Sequence, residues 1–166
     1  MVGARSGRGP AGRAASGNVV VELALVLPLF LLIVAGIIDL GTLYWEKQIL
    51  TNATAEGARL AARTATGGVA DQTRSQILQI VQDYLNRFHL KDPGGSAIVL
   101  TQGGNFNYQW NTALTPVQLS VGVNHIPVQL LLLPNIQSLF GGGLSGTINL
   151  RAQTTMAAEW TTPPKP

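Results

Sequence analysis

The strongest pattern of apolar positions lies near the start of the chain. VVVELALVLPLFLLIVAGII, Val19 to Ile38, is apolar on every side, with Glu22 as its one charged residue. A helix of that length covers about 30 Å, the thickness of a bilayer's hydrocarbon core. The unbroken apolar circumference and the interior Pro28 fit lipid better than a buried soluble helix. Tyr44 and Trp45 follow the run, where interfacial aromatics sit. The pattern then turns amphipathic. Leu43, Ile49, Leu50, Ala53, Gly57, Leu60 and Ala61 recur at helical spacing, so the helix is expected to continue and fade near Thr66-Gly67-Gly68. From Val19 to Thr64 it would reach on the order of 70 Å.

A second helix is expected over Asp71–Leu90, from Ile77, Ile80, Val81, Tyr84, Leu85 and Phe88. Asp71 is its expected N-cap, and Asp92-Pro93-Gly94-Gly95 its stop. Short strands follow at Ala97–Thr101 and Phe106–Trp110. Pro116–Asn124 alternates cleanly, as a strand with one buried face does, and Thr147–Trp160 fits a long terminal strand. Between the last two, HIPVQLLLLPNIQSLFGGGLSG reads as a loop. Its run Leu130–Leu133 is too short to span a bilayer. It either leans on lipid or a partner, or folds onto the sheet. The expected fold class is α+β. A long N-terminal transmembrane and amphipathic helix precedes a small extracytoplasmic domain with one further helix and a three- or four-stranded antiparallel sheet. The expected parts are a basic disordered leader (1–17), the helix (18–66) and the domain (67–166).

Composition agrees with a membrane chain. Hydrophobic residues make up 46% and charged residues 11%, with a mean hydropathy of +0.23; a soluble domain carries about 25% charged residues. The absence of cysteine excludes a disulfide scaffold, a thiolate metal site and a Cys nucleophile. His89 and His125 stand far apart with no ligand motif around them, and no metal or other cofactor is expected. No catalytic constellation is visible. Gly141-Gly142-Gly143 lacks the surroundings of a phosphate loop. The net charge of +3 is too small, and its aromatics too scattered, for a nucleic-acid face. A small-molecule substrate is not expected either.

The leader carries Arg5, Arg8 and Arg13 and no acid, and the next basic residue past the apolar run is Lys47. The positive-inside rule places the N-terminus in the cytoplasm and the domain outside. A cleavable secretory signal would have an apolar region of only 7–15 residues and an A-x-A-like site. A plain signal anchor leaves Glu22 unexplained, and an acid inside a membrane helix is a functional candidate. Gly17 stands at the junction of leader and apolar run, so cleavage after it would make Asn18 the first residue and Glu22 the fifth. That register resembles the type IV prepilin processing site. The resemblance implies a membrane prepilin peptidase cutting after Gly17, and a Glu22 carboxylate that pairs with the freed amine of a neighbouring subunit. The family's preferred Phe after the acid is Leu23 here.

Residues 17–63 together resemble the TadE-like domain. The resemblance rests on Val21-Glu22, the Leu27-Pro28 step, the Gly36–Gly41 stretch with Asp39, and Glu56-Gly57-Ala58-Arg59. The last tetrapeptide is the most specific. Pro28 and these four residues are the candidate helix-packing positions. Glu56 and Arg59, at i,i+3, could pair for a few tenths of a kcal/mol. Gly57, which costs helix stability by about 1 kcal/mol against Ala, suggests close approach of another backbone, or is a tolerated glycine beside a solvated pair. The small face around Ala53–Ala62 either docks on the chain's own domain or packs against another subunit. The resemblance implies a minor pseudopilin of TadE or TadF type in a tight-adherence (Tad) system that assembles Flp pili and supports adhesion. The chain is too long for the major pilin and too short for the TadG-type relatives. It implies residence in the bacterial inner membrane, with incorporation in the pilus left open. The implied partners are the peptidase, other pilins and pseudopilins, an inner-membrane assembly platform with its ATPase, and the lipid bilayer. The alternative is an uncleaved single-pass protein whose external domain binds or scaffolds in the envelope.

Overall fold

The computed structural model describes residues 13–63, 70–111, 113–138, 141–143 and 145–159. In chain order these form α1 (Arg13–Arg63), α2 (Ala70–Arg87), β1 (Phe106–Asn111), β2 (Gln118–Gln129), α3 (Leu133–Ser138) and β3 (Thr147–Ala157). The class is α+β. The three strands form one antiparallel sheet in the order β1-β2-β3. The expected fade at Thr66–Gly68, residues 1–12 of the leader, Trp160 and the terminal tail lie outside the described residues. So does the Asp71 side chain; its backbone lies within α2 rather than ahead of it.

Helix α1 divides in two by what touches it. From Asn18 to Ile33 every residue except the half-buried Pro28 is exposed. From Ala35 onward one face is buried, through Asp39, Ile49, Leu50, Ala53, Thr54, Ala58, Ala61 and Ala62. The small-residue face is therefore covered by the chain's own domain. The core brings α1 against Ile77, Val81 and Leu85 of α2 and against Leu119, Val121 and Val123 of β2. Each large aliphatic side chain buried there contributes about 1.5–3 kcal/mol.

β3 runs alongside α1, and the contacts between them keep the same order along both. Lys47 Nζ donates to the Arg151 carbonyl. Thr54 and Thr154 share a hydroxyl–hydroxyl hydrogen bond of 2.9 Å. The Glu159 amide donates to the Ala62 carbonyl at 3.2 Å. The connection between β2 and β3 therefore lies toward the uncovered half of α1, and the far end of β3 lies toward Arg63.

Three expectations about local structure are corrected. First, β2 does not stop at Asn124. A bulge sits between Val123 and Ile126, where Asn124 and His125 on β2 oppose Arg151 alone on β3. His125 has a φ of 53°. The extra residue shifts the alternation by one, so Ile126 and Val128 face the core as Leu119, Val121 and Val123 do. Pro127 is tolerated because β1 pairs only as far as Val123. The expected loop is thus a strand end followed by the short helix α3.

Second, Ala97–Thr101 is not a strand of the sheet. The segment is extended and makes only isolated bridges, Lys91 with Ala97 and, just beyond, Gln102 with Phe106. Side chains satisfy its backbone instead. The Gln82 amide donates to Ile98 O at 2.7 Å and accepts from Leu100 N at 2.7 Å, as a neighbouring strand would. Asn105 accepts from Thr101 N and donates to Val99 O. Gln82→Ala would leave a carbonyl and an amide beside the buried Ile98 and Leu100 without partners. We expect a loss of about 1–3 kcal/mol, read from chemical unfolding of the full chain in detergent.

Third, α2 ends before Asp92-Pro93. His89, at φ 53°, occupies the left-handed position. Leu90 N donates to Leu85 O and His89 N to Asn86 O. That pairing, with Leu85 and Leu90 both buried, is the Schellman arrangement.

Candidate functional site

The candidate residues fall into two groups on one helix. Gly17, Asn18 and Glu22 lie within a turn and a half of one another near the start of α1. Asn18 and Glu22 are exposed, and among the described residues nothing on the chain pairs with the Glu22 carboxylate. Helix α1 begins at Arg13, so Gly17 is already within the helix. Pro28 stands mid-run and removes one backbone donor, leaving the Ala24 carbonyl without its usual partner. This part of α1 offers apolar ridges, one acid and an interrupted backbone ladder.

The second group begins 34 residues after Glu22, about 50 Å along the helix axis. Its four residues divide between two faces. Glu56 and Arg59 are exposed and form a salt bridge of 3.5 Å, worth a few tenths of a kcal/mol at most in solvent. Gly57 and Ala58 are buried. A Cβ at Gly57 would lie 2.7 Å from Val81 Cγ2, and 3.4 Å from Ile77 Cγ2 and Val121 Cγ1. The close neighbours are side chains of α2 and β2, not another backbone. Glu56 also lines a shallow groove with Ile80, Asp83, Tyr84 and Arg87 of α2.

Between the two groups stands a residue whose role the sequence did not disclose. Asp39 is fully buried. Its carboxylate accepts from Leu131 N at 3.1 Å, from Leu132 N at 3.1 Å on each oxygen, and from Leu133 N at 2.7 Å. An acid on α1 thus caps the start of α3 from another element, where free amides and the helix dipole favour a negative charge. Gly36, about one turn earlier, gives the segment room: Leu133 Cδ2 lies 3.9 Å from where a Gly36 Cβ would stand. In the sequence Asp39 stands out only as the acid of the Gly36–Gly41 stretch.

The edge of β1 carries a separate open cavity of about 370 Å³, lined by Arg74, Tyr108, Asn107, Gln109 and Asn124 among others. The Arg74 guanidinium stacks over Trp110 at 5.2 Å. Burial raises the Tyr108 phenol above its ordinary pKa, and the Arg74 charge partly opposes this. No group of three or more His, Asp or Glu side chains that could hold a metal occurs among the described residues.

By length and apolar composition, α1 is the candidate membrane span among the described residues. No curated protein and no solved structure matches the chain. Over residues 17–59, from the glycine at the head of the apolar run to the arginine that closes Glu56-Gly57-Ala58-Arg59, the chain matches the family model of the TadE-like proteins.

Proposed function

We propose that this chain is a minor pseudopilin of a Tad-type secretion system, processed after Gly17 by a prepilin peptidase and acting in the assembly or priming of Flp pili. The TadE-like match supports a Tad pilus-associated protein. The observation that carries the finer reading is the division of α1. Its distal half is used up as the core of the chain's own domain, while residues 18–33 present an uncovered apolar rod headed by a lone acid. Such a rod is stable in lipid, and its ridges remain available to the helices of other subunits.

The role of Glu22 follows from its surroundings. A carboxylate near the membrane boundary is costly unless paired. A cleaved chain would offer a free amine at Asn18, and opposite charges in a poorly solvated place relieve each other. The carboxylate of one subunit and the amine of the next would then set the axial register of the helices. The domain would lie outside the cytoplasm, following the arginine-rich leader. No chemistry is assigned to the chain itself; Gly17 is a feature read by another enzyme.

The test is the intact mass and N-terminal sequence of the membrane-extracted protein, with and without the cognate peptidase. We expect a peptidase-dependent start at Asn18. In the same strain, Glu22→Ala should reduce surface pili at least tenfold while leaving the membrane level of the protein unchanged. An intact leader in the presence of the peptidase would instead identify an uncleaved envelope-anchored scaffold.

A further inference from the structure

The spatial order along α1 fixes where the rest of the domain stands relative to a membrane. The apolar run from Val19 to Ile38 is long enough to cross the hydrocarbon core. Asp39 is the next residue, and its carboxylate holds the amides of Leu131, Leu132 and Leu133 at 2.7–3.1 Å. Residues bonded directly to Asp39 share its depth. The matched progress of β3 along α1, through Lys47–Arg151, Thr54–Thr154 and Ala62–Glu159, carries the remainder of the sheet away from that level.

The chemistry of the connection suits this position. No Asp, Glu, Lys or Arg occurs between His125 and Arg151. Leu131 has 57% of its surface exposed, and Ile37, Ile38 and Leu40, the neighbours of Asp39 along α1, are also exposed. Tyr44 and Trp45, exposed on the next turns of α1, stand where amphipathic rings settle among headgroups. Asp39, the acid at this depth, is withdrawn into the protein and bonded to backbone amides, so this level presents exposed apolar side chains with the uncharged Asn135 and Ser138 of α3.

We propose that Leu131 and the start of α3, in the β2–β3 connection, rest on the bilayer surface where α1 emerges and serve as a second membrane contact. The partner is the interfacial zone of the phospholipid leaflet. This rests on the reading of α1 as a membrane span. A helix alone leaves the domain free to rotate about its axis; a second contact fixes which side of the domain faces the membrane.

The chain has no cysteine, so single cysteines can be placed without background. Leu29→Cys, Leu131→Cys, Asn135→Cys and Gln109→Cys would each carry an environment-sensitive nitrobenzoxadiazole label on the full chain. The labelled proteins would be reconstituted in phosphatidylethanolamine–phosphatidylglycerol vesicles. Quenching would be read from lipids bearing a nitroxide near the carbonyl and from aqueous iodide. Leu131, Asn135 and Gln109 are exposed, so their substitution leaves the core intact. The label at Leu131 should be quenched by the lipid nitroxide at least threefold more than at Gln109, with a blue-shifted emission, and Asn135 should be intermediate. Iodide quenching at Leu131 equal to that at Gln109, with Leu29 still in lipid, would overturn the proposal and leave the span reading standing. Shielding of Leu131 from both quenchers would mean that another copy covers it, and would also overturn the proposal. A Leu29 label outside the lipid would refute the span and the proposal together.

Discussion

Asp39→Ala is expected to free the β2–β3 connection while the distal core stays folded. The substitution removes an acceptor for four N–H···O contacts and leaves the amides of Leu131, Leu132 and Leu133 facing a space with no other acceptor in hydrogen-bond contact. A buried donor left unpaired costs about 1–3 kcal/mol, and hydrogen bonds to a charged group lie at the upper end. Some of the cost is recovered as water enters, so we expect about 3 kcal/mol. Hydrogen exchange on the full chain in detergent checks this. The amides of 131–133 should exchange on the order of 100-fold faster, since each 1.4 kcal/mol is a factor of ten. The amides of Ile77–Leu85 should be unaffected. Asp39→Asn, which keeps one carbonyl acceptor, should fall between. Uniform loss of protection across the domain would mean that Asp39 holds the whole fold rather than one connection.

Gly57→Val is expected to be the most damaging change in the Glu56-Gly57-Ala58-Arg59 segment. The first added carbon already falls 2.7 Å from Val81 Cγ2, and two further methyls must then be placed between α1, α2 and β2. Overpacking of this kind costs about 1–3 kcal/mol or more. The helix propensity regained on leaving glycine, below about 1 kcal/mol, does not offset it. We expect a net loss of about 3 kcal/mol and a fall in the melting temperature of more than about 10 °C. Gly57→Ala should be mild, because one methyl can displace the end of Val81. Adding Val81→Ala to Gly57→Val should recover stability relative to the sum of the two single changes, by 1 kcal/mol or more. Strict additivity would place the strain elsewhere. Glu56→Ala and Arg59→Ala should each stay within about 0.5 kcal/mol in melting measurements, since their bridge lies in solvent.

The parts of this fold that were legible in the sequence are those whose cause is local. The apolar run of α1 needs only its length and composition, and α2 shows its stripe without help. Phe106–Trp110 after its Gly-Gly-Asn turn and Thr147–Trp160 near the terminus read as strands, and the structure has strands there at Phe106–Asn111 and Thr147–Ala157. The parts that were not legible depend on partners distant in the chain. The strand through His125 was hidden because the bulge breaks the alternation at the point where a histidine and a proline also signal a turn. Gln82 looks like any polar residue on a helix until Ile98 and Leu100 come to lie beside it. Asp39 carries no sign in the sequence that its acceptors serve amides more than 90 positions away. Gly57 signalled crowding, since a glycine inside a helix carries a cost, but it suggested another backbone, whereas side chains of α2 and β2 do the crowding.

The order of contacts along α1 also sets a timetable. If α1 is the membrane span proposed above, a chain made from its N-terminus would thread α1 into the bilayer long before β3 exists, since Thr154 follows Thr54 by 100 residues. At the usual pace of synthesis, about 5–20 residues per second, that delay lasts about 5–20 s. During it the side of α1 at Lys47, Thr54 and Ala62, which β3 ends by contacting, would stand bare. The side around Gly57 is covered by α2 and β2, which are made earlier. On the reading of α1 as a membrane span, anchoring comes first and tertiary closure last, and a newly inserted chain passes through an interval in which a late strand from an adjacent copy could compete with its own.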